Sequence, residues 1–284
     1  MEIKTVGVAG AGTMGTGIAQ VAAAMGYEVI LRDVKMEIVN ASVQKMERYF
    51  TKSIEKGKLT AEKRAEILGR IRKTDRLQEL KDADLVIEAV LENMALKKSV
   101  FQELNSICRQ ETVFASNTSS MSITEIGKES GRPERFCGIH FFNPVPVMKL
   151  VEVINGLNTA QETTQIALRF ASSLGKTPVE VKKDSPGFIV NRLLLLYLNE
   201  AVKMLAEGVA SVEDIDTAVK LGLNYPMGPF QMIDFGGMQL TVDILNYFKE
   251  EFNDNYYAPQ PLLKQMVRAG KLGPKVGEGF YKYE

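Results

Sequence analysis

Residues 10–15 read Gly10-Ala11-Gly12-Thr13-Met14-Gly15, and no other stretch limits the fold so strongly. An apolar run over residues 3–9 precedes the hexapeptide, and a helical pattern over residues 14–25 follows it. A second apolar run over residues 28–31 then leads to Asp33, where an acid is expected about 20 residues beyond such a loop. In this setting the first glycine permits a tight turn and the second lets a pyrophosphate approach the backbone. The third lets helix and strand pack closely. Phosphates would sit on the unpaired N–H groups of a helix N-terminus. The pattern predicts a dinucleotide cradle built from Gly10, Gly12, Thr13, Met14 and Gly15. Asp33 is placed to bond the adenosine ribose hydroxyls and would repel a 2′-phosphate, which favours NAD. Arg32 beside it leaves room for NADP.

Short β-branched runs alternate with helical patterns as far as residue 182. Strands are expected over 3–9, 28–31, 85–89, 113–116, 136–141, 150–154 and 178–181, with a weaker one over 71–74. Alternation of this kind implies βαβ units and a mainly parallel sheet covered on both faces. The stretch between Asp33 and residue 85 is longer than a minimal βαβ unit needs and reads as a helical hairpin, 36–56 and 60–70. After Asp184-Ser185-Pro186-Gly187 strand signals stop, and helices are expected over 187–207, 211–221, 229–234, 238–251 and 259–269. Ser211 with Asp214 resembles a capping box, and Gly222 reads as a stop. The fold class is therefore α/β. A Rossmann-type domain over 1–184 carries a helical-hairpin insertion, and a smaller all-α domain over 185–284 follows it.

Bulk properties narrow the partners. The 284 residues carry 35 Lys+Arg and 35 Asp+Glu, a zero balance that gives no reason to expect a nucleic-acid or membrane partner. Cys108 and Cys137 form neither a disulfide framework nor a zinc site and read as reduced, packed thiols. The apolar stretch 188–206 is interrupted by Asn191, Arg192, Asn199, Glu200 and Lys203, so it reads as a buried helix rather than a membrane span. Residue 1 leads straight into an apolar strand without a signal-peptide pattern, and the expectation is a cytoplasmic protein.

His140 is the sole histidine, and it ends a strand, where ligands of open α/β sheets gather. It is the natural candidate for a base that gains and loses a proton near neutral pH. The next strand holds Glu152 on the same face as Leu150 and Ile154. A glutamate is almost never buried unpaired, so a His140–Glu152 pair is expected. Such a pair fixes the imidazole tautomer and stabilises the imidazolium. The bland alternatives are a core histidine bonded to backbone and a surface glutamate.

These residues belong to a longer pattern. Ala115-Ser116-Asn117-Thr118-Ser119-Ser120, His140-Phe141-Phe142-Asn143-Pro144, Glu152 and Asp184 through Arg192 keep the order and approximate spacing of a known family. So do Tyr225-Pro226-Met227-Gly228-Pro229-Phe230 and Gly277-Glu278-Gly279-Phe280-Tyr281. Together they resemble the L-3-hydroxyacyl-CoA dehydrogenase family over the whole chain, its bacterial 3-hydroxybutyryl-CoA branch most closely. The resemblance implies an oxidoreductase that interconverts (S)-3-hydroxybutyryl-CoA and acetoacetyl-CoA. It implies His140 as base, Glu152 as its partner, and Ser119 and Asn191 as substrate-bonding groups. It also implies NAD contacts from Glu92, Lys97, Asn143 and Lys275. Without it Ser119 could be read as a nucleophile, although its setting lacks the G-x-S-x-G elbow.

Lys45, Arg48, Lys52 and Lys56 share one helical face by spacing, and a solvated basic surface explains that as well as a ligand does. The resemblance assigns Lys52 and Lys56 to the 3′-phospho-ADP end of an acyl-CoA substrate. It also points to a homodimer or higher homo-oligomer through the apolar 188–206 helix, against the alternative of a helix wholly buried in one chain. Two other functions stand open. One is a 6-phosphogluconate or 3-hydroxyisobutyrate type dehydrogenase, in which a lysine replaces the His–Glu pair. The other is a non-catalytic NAD-binding protein.

Overall fold

The structure is a computed structural model and describes residues 1–283. The chain divides into two compact units, Met1–Ser185 and Pro186–Glu284.

The first unit is an eight-stranded sheet in the order β3-β2-β1-β4-β5-β6-β7-β8. The strands are β1 (Thr5–Ala9), β2 (Glu28–Arg32), β3 (Ile71–Thr74), β4 (Leu85–Glu88), β5 (Val113–Ser116), β6 (Phe136–Phe141), β7 (Leu150–Ile154) and β8 (Thr177–Val181). The first six run parallel. β7 then pairs antiparallel with β6 and parallel with β8. Central strands are buried along their whole length, as continuous apolar runs require when helices cover both faces. The edges are blunted: β3 exposes Arg72 and Lys73, and β8 carries Pro178, which lacks the donor a central strand needs.

Helices α1 (Thr13–Ala24), α2 (Met36–Glu55), α3 (Ala61–Gly69), α4 (Met94–Ile107), α5 (Ile123–Glu129) and α6 (Gln161–Ser173) complete the unit. The expected hairpin is α2 and α3. It packs on the main core through Val39, Met46, Phe50 and Ile67. Each such side chain contributes roughly 1.5–3 kcal/mol when fully buried. Strand ends shift by one or two residues from the sequence expectation; β1 starts at Thr5 rather than residue 3.

The second unit is helical: α7 (Val190–Ala206), α8 (Val212–Gly222), α9 (Pro229–Gly236), α10 (Met238–Phe252) and α11 (Pro261–Arg268). Val202, Phe230, Ile233, Met238, Leu245, Phe248 and Leu263 form its core. Ser211 caps α8 by accepting the Asp214 N–H at 3.1 Å. Gly222 is the last helical residue rather than a stop, and Asn224 at φ 55° takes the left-handed position.

Two buried carboxylates lock this unit. Asp216 accepts the Phe230 N–H at the start of α9 and the Tyr281 hydroxyl, both at 2.8 Å. Asp234 accepts the Phe280 and Tyr281 N–H groups at 3.0 Å and the Tyr283 hydroxyl at 2.8 Å. Burial, and then these bonds to carboxylates, push both tyrosine hydroxyls well above their ordinary range. The clamps also account for two motif glycines. A Cβ on Gly228 would lie 2.2 Å from Asp216 Cγ, and one on Gly279 2.2 Å from Asp234 Oδ1. The helix α7 is not wholly buried within the chain, because Leu193 stays 67% exposed.

Candidate active site

The glycine loop joins β1 to α1 with each glycine under a different constraint. Gly10 has φ +113°, and a Cβ there would lie 2.5 Å from the Ala89 carbonyl oxygen. A Cβ on Gly15 would fall 1.8 Å from the Gly10 carbonyl oxygen, so the loop can close only on a bare backbone. Gly12 differs: no protein atom lies within 4 Å of its would-be Cβ, and it is the N-cap of α1 without a side-chain acceptor. Open space in front of unpaired helix N–H groups is what a pyrophosphate fits. Asp33 accepts the Ala11 N–H at 2.6 Å through Oδ2 and the Val34 N–H at 2.7 Å through Oδ1. It therefore ties the loop to the end of β2 as well as presenting a carboxylate there. Arg32 is turned to the Asp75 carbonyl, 3.3 Å away.

The neighbouring strand end, across the point where the strand order reverses, carries a charged cluster. Ala9 of β1 and Glu88 of β4 are register partners. Glu88 is fully buried. Its Oε1 accepts from Val90 N–H and from the Lys97 ammonium, both at 2.7 Å, and its Oε2 accepts the Ser116 hydroxyl at 2.6 Å. The Lys97 side chain is only 1% exposed, and its ammonium also lies 3.1 Å from Glu92. Glu92 in turn accepts the Ser119 N–H at 3.2 Å and the Thr118 hydroxyl. Asn117 at the start of this loop accepts the Phe141 N–H at 2.9 Å, joining it to the end of β6.

His140 and Glu152 sit directly opposite each other on the antiparallel pair β6 and β7. His140 Nδ1 and Glu152 Oε2 are 2.8 Å apart, with side chains 6% and 1% exposed. The short connection through Asn143 and the reversal of β7 bring the two onto one face, where directly paired cross-strand side chains meet. A carboxylate only accepts, so it holds the proton on Nδ1 and leaves Nε2 as the basic nitrogen. The Phe142 ring packs 4.4 Å from the imidazole, centroid to centroid.

A cavity of about 320 Å³ opens between α1, α2 and the connection after β6. Thr13, Asn143 and Val145 line one side, and Lys45, Arg48, Tyr49 and Lys52 the other. Lys56 follows the last residue of α2 and is not among the lining residues. Lys176 holds the connection from behind, donating to the Val145 carbonyl at 2.6 Å and the Met148 carbonyl at 2.8 Å. Burial lowers its pKa. In the second unit Asn191 lies in the first turn of α7, and Lys275 is exposed in the 3-10 turn Pro274–Val276. Glu88 and Lys176 had not been singled out from sequence. A glutamate inside an apolar strand, the same signal that marked Glu152, would have revealed Glu88. No local signal marks Lys176.

A glycine cradle at a helix N-terminus and a histidine–carboxylate pair at neighbouring strand ends define a dinucleotide-dependent oxidoreductase of the Rossmann type. Comparison with known proteins makes this specific. The 3-hydroxyacyl-CoA dehydrogenase NAD-binding domain matches residues 5–185, and the C-terminal domain of the same family matches residues 187–283. The chain belongs to the 3-hydroxyacyl-CoA dehydrogenase family, and its cofactor is NAD. It is 48% identical over 284 residues to a probable 3-hydroxybutyryl-CoA dehydrogenase of Bacillus subtilis strain 168, covering 100% of this chain and 99% of the relative. It is 46% identical to the 3-hydroxybutyryl-CoA dehydrogenase of Clostridioides difficile, covering 97% and 98%. The crystal structure of the (S)-3-hydroxybutyryl-CoA dehydrogenase PaaH1 from Ralstonia eutropha superposes with a TM-score of 0.98 at 43% identity, covering 100% of both chains. The 6-phosphogluconate-type alternative gives way to these matches.

Proposed function

We propose that the protein interconverts (S)-3-hydroxybutyryl-CoA and acetoacetyl-CoA, with His140 as the general base. The observation that carries this reading is the buried 2.8 Å contact between His140 Nδ1 and Glu152. NAD, when bound, supplies the hydride-accepting chemistry. His140 Nε2 takes the 3-hydroxyl proton as the C3–H bond breaks, and the Glu152 carboxylate balances the imidazolium that forms. In the reverse direction the same nitrogen returns the proton to the 3-oxo oxygen. Ser119 bonds the oxygen on C3, and Asn191 is a further proposed substrate-bonding group. Gly10, Gly12, Thr13, Met14 and Gly15 hold the pyrophosphate and Asp33 the adenosine ribose. Glu92, Lys97, Asn143 and Lys275 are the proposed contacts to NAD near the ribose and nicotinamide, and the turn of Arg32 toward Asp75 supports NAD over NADP.

Lys52, with Lys45 and Arg48, makes the basic wall of a cavity suited to the phosphates of CoA. Lys56, beyond the helix end, contributes less. The protein works as a homodimer or higher oligomer through its second unit. There Leu193, Leu221, Leu223, Tyr225 and Phe235 remain exposed, apolar side chains that a second copy could cover. No described helix is long and apolar enough to cross a membrane, and the proposed location is the cytoplasm.

The test is an absorbance assay of acetoacetyl-CoA with NADH, and separately with NADPH. Turnover of the thioester with NADH, and none of free acetoacetate, is the expected result. NADH binding without turnover of any 3-oxoacyl-CoA would overturn the reading. Light scattering checks the oligomer, and a monomer at micromolar concentration would refute that part.

A further inference from the structure

We infer that Gln20 is a substrate-binding residue whose side-chain amide pairs with an amide of the pantetheine arm of the CoA thioester. The inference rests on the proposed reading of the cavity between α1 and α2 as the CoA site.

Gln20 stands apart from the other buried polar groups. It lies in the middle of α1 and is only 6% exposed. Of the buried polar and charged side chains among the described residues, it alone makes no hydrogen bond. Thr16, one turn before it on the same wall, is fully engaged. Its hydroxyl donates to the Ala11 carbonyl at 3.1 Å and lies 2.7 Å from the Ser42 hydroxyl. The Gln20 amide is not sealed in protein either. The one side-chain polar atom among the described residues that is both enclosed and unpartnered is the Tyr197 hydroxyl, in the second unit. The Gln20 amide therefore opens into the cavity of about 320 Å³ that its residue lines. A polar group withdrawn from bulk water without a partner is costly, and native interiors rarely keep one without a use.

The surroundings say what the amide meets. Thr13, Thr16, Gly17 and Gln20 form one stripe of α1, which runs about 10 Å along the helix. A Cβ on Gly17 would lie 2.7 Å from Val145 Cβ, so the connection after β6 rests directly on this stripe. The cavity thus has a cationic wall, Lys45, Arg48 and Lys52, and a neutral wall in which the Gln20 amide adjoins Val145, Pro146 and Val147. The cations serve phosphates. The neutral wall suits the stretch of CoA built of methylenes and secondary amides. Each such amide offers one N–H and one C=O, and a glutamine side chain offers the complementary C=O and NH2, so a single pairing satisfies both partners. A site that places a polar group in this way rejects ligands that lack its counterpart.

The discriminating variant is Gln20→Met, which keeps the length of the side chain and removes its amide without breaking a hydrogen bond within the chain. KM and kcat are read with NADH and each of two substrates, acetoacetyl-CoA and acetoacetyl-pantetheine, the second lacking the adenosine and its phosphates. The expected result is KM raised at least about threefold for both thioesters, with kcat and the Kd of NADH each within about threefold of wild type. A rise for acetoacetyl-CoA alone would assign the amide to the adenosine end and overturn the inference. KM within about threefold for both thioesters would leave the amide bonded to water only and overturn it too. So would a kcat or an NADH Kd changed beyond that limit, which marks a displaced α1 rather than a lost contact. If wild type reduces neither thioester, the functional reading has failed, and calorimetric Kd values of CoA and of pantetheine decide the Gln20 contact under the same limits. Should Gln20→Met not fold, Gln20→Leu is judged by the same measures.

Discussion

Substituting Glu152 by Gln removes one charge from the site and almost nothing else. The carboxylate lies 2.8 Å from His140 Nδ1, with both side chains nearly sealed from solvent. At that separation and an effective dielectric of 20, full carboxylate–imidazolium attraction is about 6 kcal/mol, a ceiling on the loss. Glutamine keeps one acceptor oxygen, so a neutral hydrogen bond of about 1 kcal/mol survives. Charge-assisted bonds contribute about 1.5–3 kcal/mol, which places the floor of the loss near 0.5 kcal/mol. A central value of about 3 kcal/mol corresponds to roughly a hundredfold in rate. In the oxidation direction the imidazolium forms only as the proton moves, so the loss falls on kcat, while KM for (S)-3-hydroxybutyryl-CoA stays within about threefold. Steady-state kinetics with NAD, beside a thermal melt to confirm folding, measures it. A folded Glu152→Gln enzyme with kcat within about twofold of wild type would refute the proposed partnership.

Lys52→Ala should raise KM for the CoA thioester about tenfold with kcat within about twofold, since one solvent-screened phosphate contact is lost uniformly. Lys56→Ala should raise it less, and an equal or larger rise would place the CoA phosphate beyond the cavity. Gly15→Ala drives a Cβ to 1.8 Å from the Gly10 carbonyl oxygen, which no side chain can relieve. Overpacking of this kind costs about 1–3 kcal/mol or more. It should lower Tm by several degrees and weaken NADH binding, and an unchanged melt with normal binding would contradict the loop geometry. Burial pushes the Cys108 thiol up to about 11 and the Cys137 thiol up to about 12. Because the thiolate is the reactive form, iodoacetamide at pH 8 should label neither in the native protein and both in denaturant, as mass spectrometry would show. Rapid native labelling would mean that the packing around them opens.

Much of this molecule was legible because its key constraints are short-range. The glycine loop needs only a strand before it and a helix after it. The backbone itself excludes a side chain at Gly10 and at Gly15, where a Cβ would strike a carbonyl oxygen. The His140–Glu152 pair was legible for a similar reason. The two strands are joined by a short connection, alternation sets Glu152 on a face with Leu150 and Ile154, and the rule that a buried glutamate needs a partner points to His140.

What tertiary structure decided is long-range. Glu88, Lys97, Glu92 and Ser116 come from two strands, a loop and a helix, and spacing along the chain says nothing of their meeting. Lys176 reaches carbonyls 28 and 31 positions away. The motif glycines Gly228 and Gly279 are placed against Asp216 and Asp234 by the folded second unit, so they read as joints of that unit. Hydrophobic periodicity selects which face of an element is buried. It does not select which buried polar groups find one another, because that depends on how elements distant in the chain close over a common core.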